Sequence, residues 1–203
     1  MKALQNTGAW PAAARFALLN GGLLLYGVGL SLMIAADVGL APWDALHVGL
    51  ARSIPSLSVG LASIAVGVAL VLVSAGFLKV KVGVGSLLNM LLIGVYIDLL
   101  LPHLPRPAGV AAWVFFVGVT GLVGLATGAY IASGFGAGPR DGLVLGLVAR
   151  TGWPARYVRT GIELLVLVSG YLLGAKVGGG TLLFALMAGP AMSAGLKVFG
   201  LSR

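Results

Sequence analysis

The residues of this chain that could bind a polar solute occur in two copies of one motif. The first copy is Gly39-Leu-Ala-Pro-Trp-Asp44 and the second is Gly136-Ala-Gly-Pro-Arg-Asp141. Each copy places a proline where a short helix would begin and a carboxylate two residues later. The unpaired N–H groups of a helix N-terminus attract an anion or the electronegative part of a solute, and Arg140 adds a positive charge. If Asp44 and Asp141 face a cavity, they instead favour a cation or a relayed proton.

A structural role is the alternative for the same motif. If Asp44 and Asp141 cap their own helices, the two copies are interfacial turns without a ligand. His47 aligns with Val144 in the second copy, and a lone histidine among apolar neighbours is more often a hydrogen-bonded structural group than a ligand. The candidate substrate-binding residues are therefore Trp43, Asp44, His47, Arg140 and Asp141, with Pro42 and Pro139 as the helix breaks.

A second candidate group lies near the start of the fifth apolar segment. Arg156, Arg159 and Glu163 are spaced at i, i+3 and i+7, so they share one helix face, and Arg159 and Glu163 can pair at i+4. A carboxylate inside a membrane is by default a functional candidate, commonly a proton carrier or a substrate contact. We expect Arg159 and Glu163 to form a gate or a coupling pair; a neutralised structural ion pair is the equal alternative.

Composition indicates an integral membrane protein. Hydrophobic residues make up 59% of the 203 residues, charged residues 9%, and the mean hydropathy is +1.07, whereas a soluble domain carries about a quarter charged residues. The net charge of +8 fits loops held against anionic lipid better than a nucleic-acid partner. The chain has no cysteine and two histidines, which predicts no metal and no cofactor. No nucleophile–base constellation can be assembled, so we expect no catalytic residues and no enzyme.

Six long apolar segments predict the helices that position the candidate residues. Each has about the 20 residues that cross roughly 30 Å of hydrocarbon. Between the first and second segments of each half lies a shorter helix, about 42–52 and 139–150, whose eleven or twelve residues rise only about 16–18 Å and cannot cross. The segments lie at roughly 16–36, 57–78, 86–104, 110–134, 157–175 and 181–200.

The expected fold is therefore an all-α polytopic membrane protein with a single membrane domain, residues 1–203. Its six transmembrane helices would form two inverted three-helix repeats, 16–104 and 110–200, each with a short re-entrant or interfacial helix. Lys81–Leu88 and Lys176–Leu183 are a second repeated element, interpreted as tight turns with Ser86 or Thr181 as the N-cap of the next helix. Three GxxxG motifs, beginning at residues 124, 142 and 170, predict closely packed helices.

The chain resembles a known family at several of these motifs. Ala41-Pro-Trp-Asp-Ala-Leu-His47 and Gly138-Pro-Arg-Asp-Gly142, with Val158-Arg-Thr160, Glu163 and Gly180-Thr181, are similar to the YczE/YyaS/YitT family of bacterial integral membrane proteins. The resemblance implies a multi-pass protein of the bacterial inner (plasma) membrane and names no substrate. The distribution of Lys and Arg predicts that both termini are cytoplasmic.

Two functions remain open at this point. The first is a transporter or channel for a small polar or anionic solute, which would bind where the two short-helix N-termini meet. The second is a non-transporting accessory subunit that stabilises or recruits a partner enzyme or complex, with the GxxxG faces as partner surfaces. The expected partners are the lipid bilayer, the solute, and a second copy of the chain or another membrane protein, with no nucleic acid.

Overall fold

The computed structural model describes residues 10–136 and 138–201, and this part of the chain forms helices and no strand. α3 continues into a wider π turn, Val73–Phe77, and α4 ends in a 3-10 turn, Leu101–His103. The helices are α1 (Ala12–Ala36), α2 (Pro42–Ser53), α3 (Val59–Leu72), α4 (Val84–Leu100), α5 (Gly109–Ala132), α6 (Pro139–Thr151), α7 (Ala155–Leu172) and α8 (Gly179–Val198).

Five of these helices are long and apolar enough to cross a membrane: α1, α3 with its π turn, α4 with its 3-10 turn, α5 and α8. The prediction of an all-α, multi-pass membrane protein is confirmed. α7 has 18 residues but carries Arg156, Arg159 and Glu163, so its composition does not place it with the other five. The sixth span and the two-repeat arrangement stay predictions.

The centre of the molecule is the contact between α1 and α5. Leu19, Leu23 and Phe116 are fully buried there, and Gly22 lies so close to the backbone of Tyr130 that a Cβ would be 2.7 Å from its nitrogen. α4 packs against α1 and α8 packs against α5. Since lipid is as apolar as leucine, these contacts stabilise the fold mainly through close packing.

The GxxxG motif of α5 packs directly against α8. A Cβ on Gly124 would collide with the carbonyl of Ala191, and a Cβ on Gly128 would collide with the carbonyl of Gly195. Both glycines therefore bring two backbones into contact. The predicted close packing is confirmed here, and the partner helix belongs to the same chain.

The other two motifs use one glycine each for packing. Gly170 lies against the backbone of Ala45 in α2, and Gly146 packs against the residues that follow α3. Gly174 has a φ of +86° and no neighbour within 4 Å of its would-be Cβ, because it forms the left-handed turn after α7. Glycine at this position serves the turn and not a helix interface.

α3 and α4 pack closely against each other, whereas α7 and α8 do not. A Cβ on Gly60 would collide with the Gly94 carbonyl. The carboxylate of Asp98 accepts hydrogen bonds from the Ser58 hydroxyl and from the backbone N–H of Gly60, the latter at 2.8 Å, so α4 caps the start of α3. Among the described residues, α7 and α8 show no such packing.

The predicted N-caps of α4 and α8 are wrong by one turn. The N-caps are Gly83 and Gly178, whose extended backbones let each helix begin before Ser86 and Thr181. Thr181 lies in the first turn, where its hydroxyl accepts hydrogen bonds from the N–H groups of Gly178 at 3.3 Å and Leu40 at 3.1 Å. Its hydroxyl thus ties the segment before α2 to α8.

Candidate solute-binding site

The chain enters α2 along the first turn of α8. The N–H of Gly180 donates to the Val38 carbonyl at 2.9 Å. Gly39 has a φ of +143°, and a Cβ there would lie 2.6 Å from the backbone nitrogen of Thr181, so this close approach requires glycine. As a result, Pro42 begins α2 inside the helix bundle.

The chain enters α6 in the same way, along the start of α4. The N–H of Gly85 donates to the Phe135 carbonyl at 3.0 Å, and a Cβ on Gly138 would lie 3.2 Å from the side-chain oxygen of Asn89. Pro139 is buried. The segment before Pro42 therefore lies against the first turn of α8, and the segment before Pro139 lies against the first two turns of α4.

The C-termini of the two short helices, α2 and α6, contact different long helices. Arg52 at the end of α2 donates to the Gly174 carbonyl, just after α7. Arg150 at the end of α6 donates to the Phe77 carbonyl at the end of α3, at 3.0 Å. Cations at these positions also interact favourably with the negative ends of the helix dipoles.

The N-termini of α2 and α6 meet each other. The guanidinium carbon of Arg140 lies 4.9 Å from the centroid of the Trp43 ring, within the range of a cation–π interaction. Trp43 is 8% exposed. The first turns of the two helices are thus in direct contact, as predicted from the two copies of the motif.

Asp44 and His47 are buried and carry polar atoms that have no hydrogen-bond partner among the described residues. Each is 1% exposed, and neither carboxylate oxygen of Asp44 nor Nδ1 of His47 has a partner among the described residues. The structural alternative for Asp44, a cap on its own helix, is therefore wrong. A buried polar group without a protein partner is costly unless a ligand or water satisfies it.

Asp141 has a different environment from Asp44. It is partly exposed and accepts a 3.3 Å hydrogen bond from the hydroxyl of Tyr130. It too does not cap its own helix. The Tyr130 ring in turn packs edge to face on Tyr26, with centroids 6.1 Å apart. The two copies of the motif therefore differ in more than the exchange of tryptophan for arginine.

A cavity of about 610 Å³ connects these groups. Sequence reasoning missed Tyr26, Tyr130 and Thr127, which also line it; the available signal was their polarity within otherwise apolar helices. The cavity brings together every predicted site residue: Pro42, Trp43, Asp44, His47, Pro139, Arg140, Asp141, Arg159 and Glu163.

Arg159 and Glu163 form the predicted ion pair on the α7 side of the cavity. Arg159 Nε and Glu163 Oε1 are 2.8 Å apart, with side chains 48% and 37% exposed. An exposed i, i+4 pair contributes only about 0.3–0.5 kcal/mol. The pairing is confirmed, and a role as a gate or coupling pair stays a prediction.

The residues that the structure describes contain no group of three or more His, Asp or Glu side chains that could hold a metal ion. The polar side chains that line the cavity are three carboxylates, an imidazole, an amide, hydroxyls and two guanidinium groups. This set is suited to binding an organic solute by charge and hydrogen bonds.

Comparisons with known proteins give relatives without an assigned activity. The model of a family of unknown function (DUF6198) matches residues 13–196. The chain is 38% identical over 179 residues to the uncharacterized membrane protein YczE of Bacillus subtilis (strain 168), covering 86% of this chain and 82% of that protein. It is 32% identical over 195 residues to an uncharacterized protein of Haemophilus influenzae (95% and 88% covered).

The uncharacterized protein YyaS of Bacillus subtilis (strain 168) is 30% identical over 173 residues, 83% of this chain and 85% of that protein. These matches confirm the resemblance to YczE and YyaS seen in the motifs. No solved structure matches the chain.

Proposed function

The chain belongs to the family of unknown function DUF6198, and we propose that it is a membrane transporter or channel for a small polar or anionic solute. The observation that carries this proposal is the meeting of two helix N-termini at one cavity. Pro42 and Pro139 both line that cavity, and each begins a helix whose first N–H groups have no partner within the helix. Such groups, with Arg140 beside them, attract the electronegative part of a solute.

Two sets of contacts support opposite entry of the short helices. Arg15 at the start of α1 donates to the Ser133 carbonyl at the end of α5, at 2.9 Å. Lys176, after α7, forms an ion pair with Asp37 at the end of α1, at 2.8 Å. Arg150, at the end of α6, donates to the end of α3, which adds α6 and α3 to the helix ends on the side of Arg15. Arg52, at the end of α2, donates to the turn after α7, which adds α2 to the helix ends on the side of Lys176.

α7 would then be the sixth span. It begins after α6, whose C-terminus contacts the end of α3, and it ends before Gly174, which contacts the end of α2. Its 18 residues rise about 27 Å, close to the roughly 30 Å of hydrocarbon. Its charged residues, Arg159 and Glu163, line the cavity, which is where polar side chains of a span are expected.

With six spans, each half has three, and the two halves have inverted topology. α2 and α6 would be re-entrant half-helices that enter from opposite faces and end at the face from which they came. Broken helices at membrane depth are tolerated where protein or a cavity covers them. A site at such half-helix ends, between inverted repeats, is the arrangement used for alternating access.

The accessory-subunit function has less support. It relied on the GxxxG faces as partner surfaces, but Gly124 and Gly128 are covered by α8 of the same chain. The unpartnered carboxylate of Asp44 in a cavity also has no use in a passive scaffold. We therefore prefer transport.

Uptake into liposomes tests this proposal. Purified protein would be reconstituted and assayed with radiolabelled small carboxylates, phosphates and amino acids. At least one should accumulate, and Arg140→Ala should abolish its uptake while the protein stays folded. The matched control is Arg106→Ala, an exposed residue of the loop before α5. No uptake of any solute, together with reproducible co-purification of one partner, would favour the accessory function.

A further inference from the structure

The cavity contains two opposite charges that do not pair with each other. The ion pairs within residues 10–136 and 138–201 are Arg159–Glu163 and Lys176–Asp37. Asp44 has no hydrogen bond to either carboxylate oxygen, and Arg140 contacts the ring of Trp43. Both residues line the same cavity, and neither is neutralised by an ion pair within the described part of the chain.

Trp43, and not Asp44, contacts the Arg140 guanidinium. Its ring lies under the Arg140 guanidinium, and Asp44 is the next residue, 1% exposed on the buried side of α2. A buried charge without a counter-charge is strongly destabilising, whereas a matched pair is tolerated. A ligand with one positive and one negative group therefore stabilises the site at both Asp44 and Arg140.

The hydrogen-bonding character of Asp44 specifies the first counter-charge. An ionised carboxylate only accepts hydrogen bonds, so its two free oxygens require a donor. Nδ1 of His47, one turn further along α2, also has no partner. Tyr26 and Tyr130 line the same cavity, and aromatic rings favour organic cations. A protonated amine fits this side of the site.

The second counter-charge, a negative one, would bind at Arg140 and the N-termini of α2 and α6. A guanidinium donates only, and so do the N–H groups of a first helical turn, which have no partner within their own helix. Of the other charged groups of the cavity, Arg159 and Glu163 neutralise each other, and Asp141 accepts a hydrogen bond from the neutral hydroxyl of Tyr130. An anionic group fits this side.

From this arrangement, and resting on the proposed transport function, we propose that the solute is a small zwitterion. Its ammonium group binds Asp44 beside His47, and its anionic group binds Arg140 and the N-termini of α2 and α6. The cavity volume of about 610 Å³ lies within the roughly 300–1,000 Å³ of small-molecule sites.

Binding to the purified protein in nanodiscs tests the proposal without requiring transport. The probes are ω-amino carboxylates of increasing length (glycine, 3-aminopropanoate, 4-aminobutanoate and 6-aminohexanoate), each compared with the alkylammonium ion and the alkanoate of the same length. Isothermal titration calorimetry should find at least one zwitterion that binds about tenfold or more tightly than both of its counterparts. If no zwitterion exceeds both, the inference is overturned.

Two variants locate the two ends of the zwitterion. Asp44→Asn should reduce its affinity to that of the alkanoate, and Arg140→Gln should reduce it to that of the alkylammonium ion. Retained binding of the monopolar probe shows that each variant is folded. Asp37→Asn, which removes a surface carboxylate paired with Lys176, is the control and should change nothing. A zwitterion preference that survives Asp44→Asn overturns the inference.

The outcomes separate this inference from the transport proposal. Tight zwitterion binding with no uptake into liposomes retains the zwitterion site and overturns transport. Uptake of alkanoates that is unaffected by Asp44→Asn, with no preference for an amine, retains transport and overturns the zwitterion site.

Discussion

The guanidinium of Arg140 lies over the ring of Trp43, with 4.9 Å between the guanidinium carbon and the ring centroid. This contact joins the first turn of α2 to the first turn of α6, the two elements that carry the repeated motif. The same position in each copy of the motif is thus occupied by one of the two partners. The sequence difference between the copies creates the contact between them.

A double-mutant cycle measures the strength of that contact. Trp43→Leu and Arg140→Met should each lower the free energy of unfolding, and the cycle should give a coupling energy of about 0.5–2 kcal/mol, since the pair is partly desolvated. Unfolding in mixed micelles provides the measurement. Trp113→Leu combined with Arg140→Met is the control, because Trp113 contacts Gly179; that pair should be additive within about 0.5 kcal/mol.

Gly124 should not tolerate a large side chain. Gly124→Leu would place its side chain against the Ala191 carbonyl, and we expect the free energy of unfolding to fall by about 1–3 kcal/mol or more. Gly118→Leu on the same helix is the control, because a Cβ at Gly118 has no neighbour within 4 Å. Equal stability of the two variants would contradict the backbone contact between α5 and α8.

Gly39 should be more sensitive to alanine than a helix glycine. Gly39→Ala combines a φ of +143° with a Cβ 2.6 Å from Thr181 N, so α2 should lose its attachment to α8 and solute binding should weaken. Gly21→Ala, in the exposed face of α1, should raise helix stability by roughly 0.5–1 kcal/mol. Thermal unfolding of both variants is the measurement, and a stabilised Gly39→Ala protein would refute the close approach.

Asp98→Ala should destabilise the junction of α3 and α4. Its carboxylate satisfies the Ser58 hydroxyl and the N–H of Gly60, and buried or partly buried donors left without an acceptor cost about 1–3 kcal/mol. Asp37→Ala removes an exposed ion pair and should cost at most about 1 kcal/mol. Unfolding free energies of the two variants provide the comparison.

The inverted topology can be tested by single-cysteine labelling, since the chain has no cysteine of its own. Ser53→Cys and Thr151→Cys place thiols at the exposed ends of α2 and α6. A membrane-impermeant maleimide added to intact cells should label Ser53→Cys, and Thr151→Cys should react only after the membrane is permeabilised. Labelling of both from the same side would contradict the inversion.

The sequence predicts the elements of this fold well because each element is specified locally. Apolar length defines the long helices, and a proline at the first position with Arg52 or Arg150 in the last turn defines the short ones. The bounds Pro42–Ser53 and Pro139–Thr151 lie within a residue of the expected ones. The observed N-caps differ from the expected ones because Gly83 and Gly178 start their helices without a side-chain signal.

Other features depend on contacts between distant segments, which one sequence does not reveal. The hydrogen bond from Tyr130 to Asp141 and the cap that Asp98 gives to α3 each join two helices through a single side chain. Neither has a spacing pattern that would identify it. The predicted site residues lie on the duplicated motif, whereas Tyr26 and Tyr130 lie outside it, where only their polarity within apolar helices marks them.

α3 packs tightly against α4, whereas α7 does not pack against α8 in this way. The cavity therefore has one rigid wall and one adjustable wall. Separating α3 from α4 would break backbone contacts at Gly60 and the Asp98 cap. On the other side, rotamer changes of Arg159 and Glu163, already half exposed, alter the lining without moving a helix. Side-chain rotation takes nanoseconds, whereas collective helix motion takes microseconds or longer. We therefore expect the side chains on the α7 side of the cavity to adapt to a solute faster than the α3–α4 wall does.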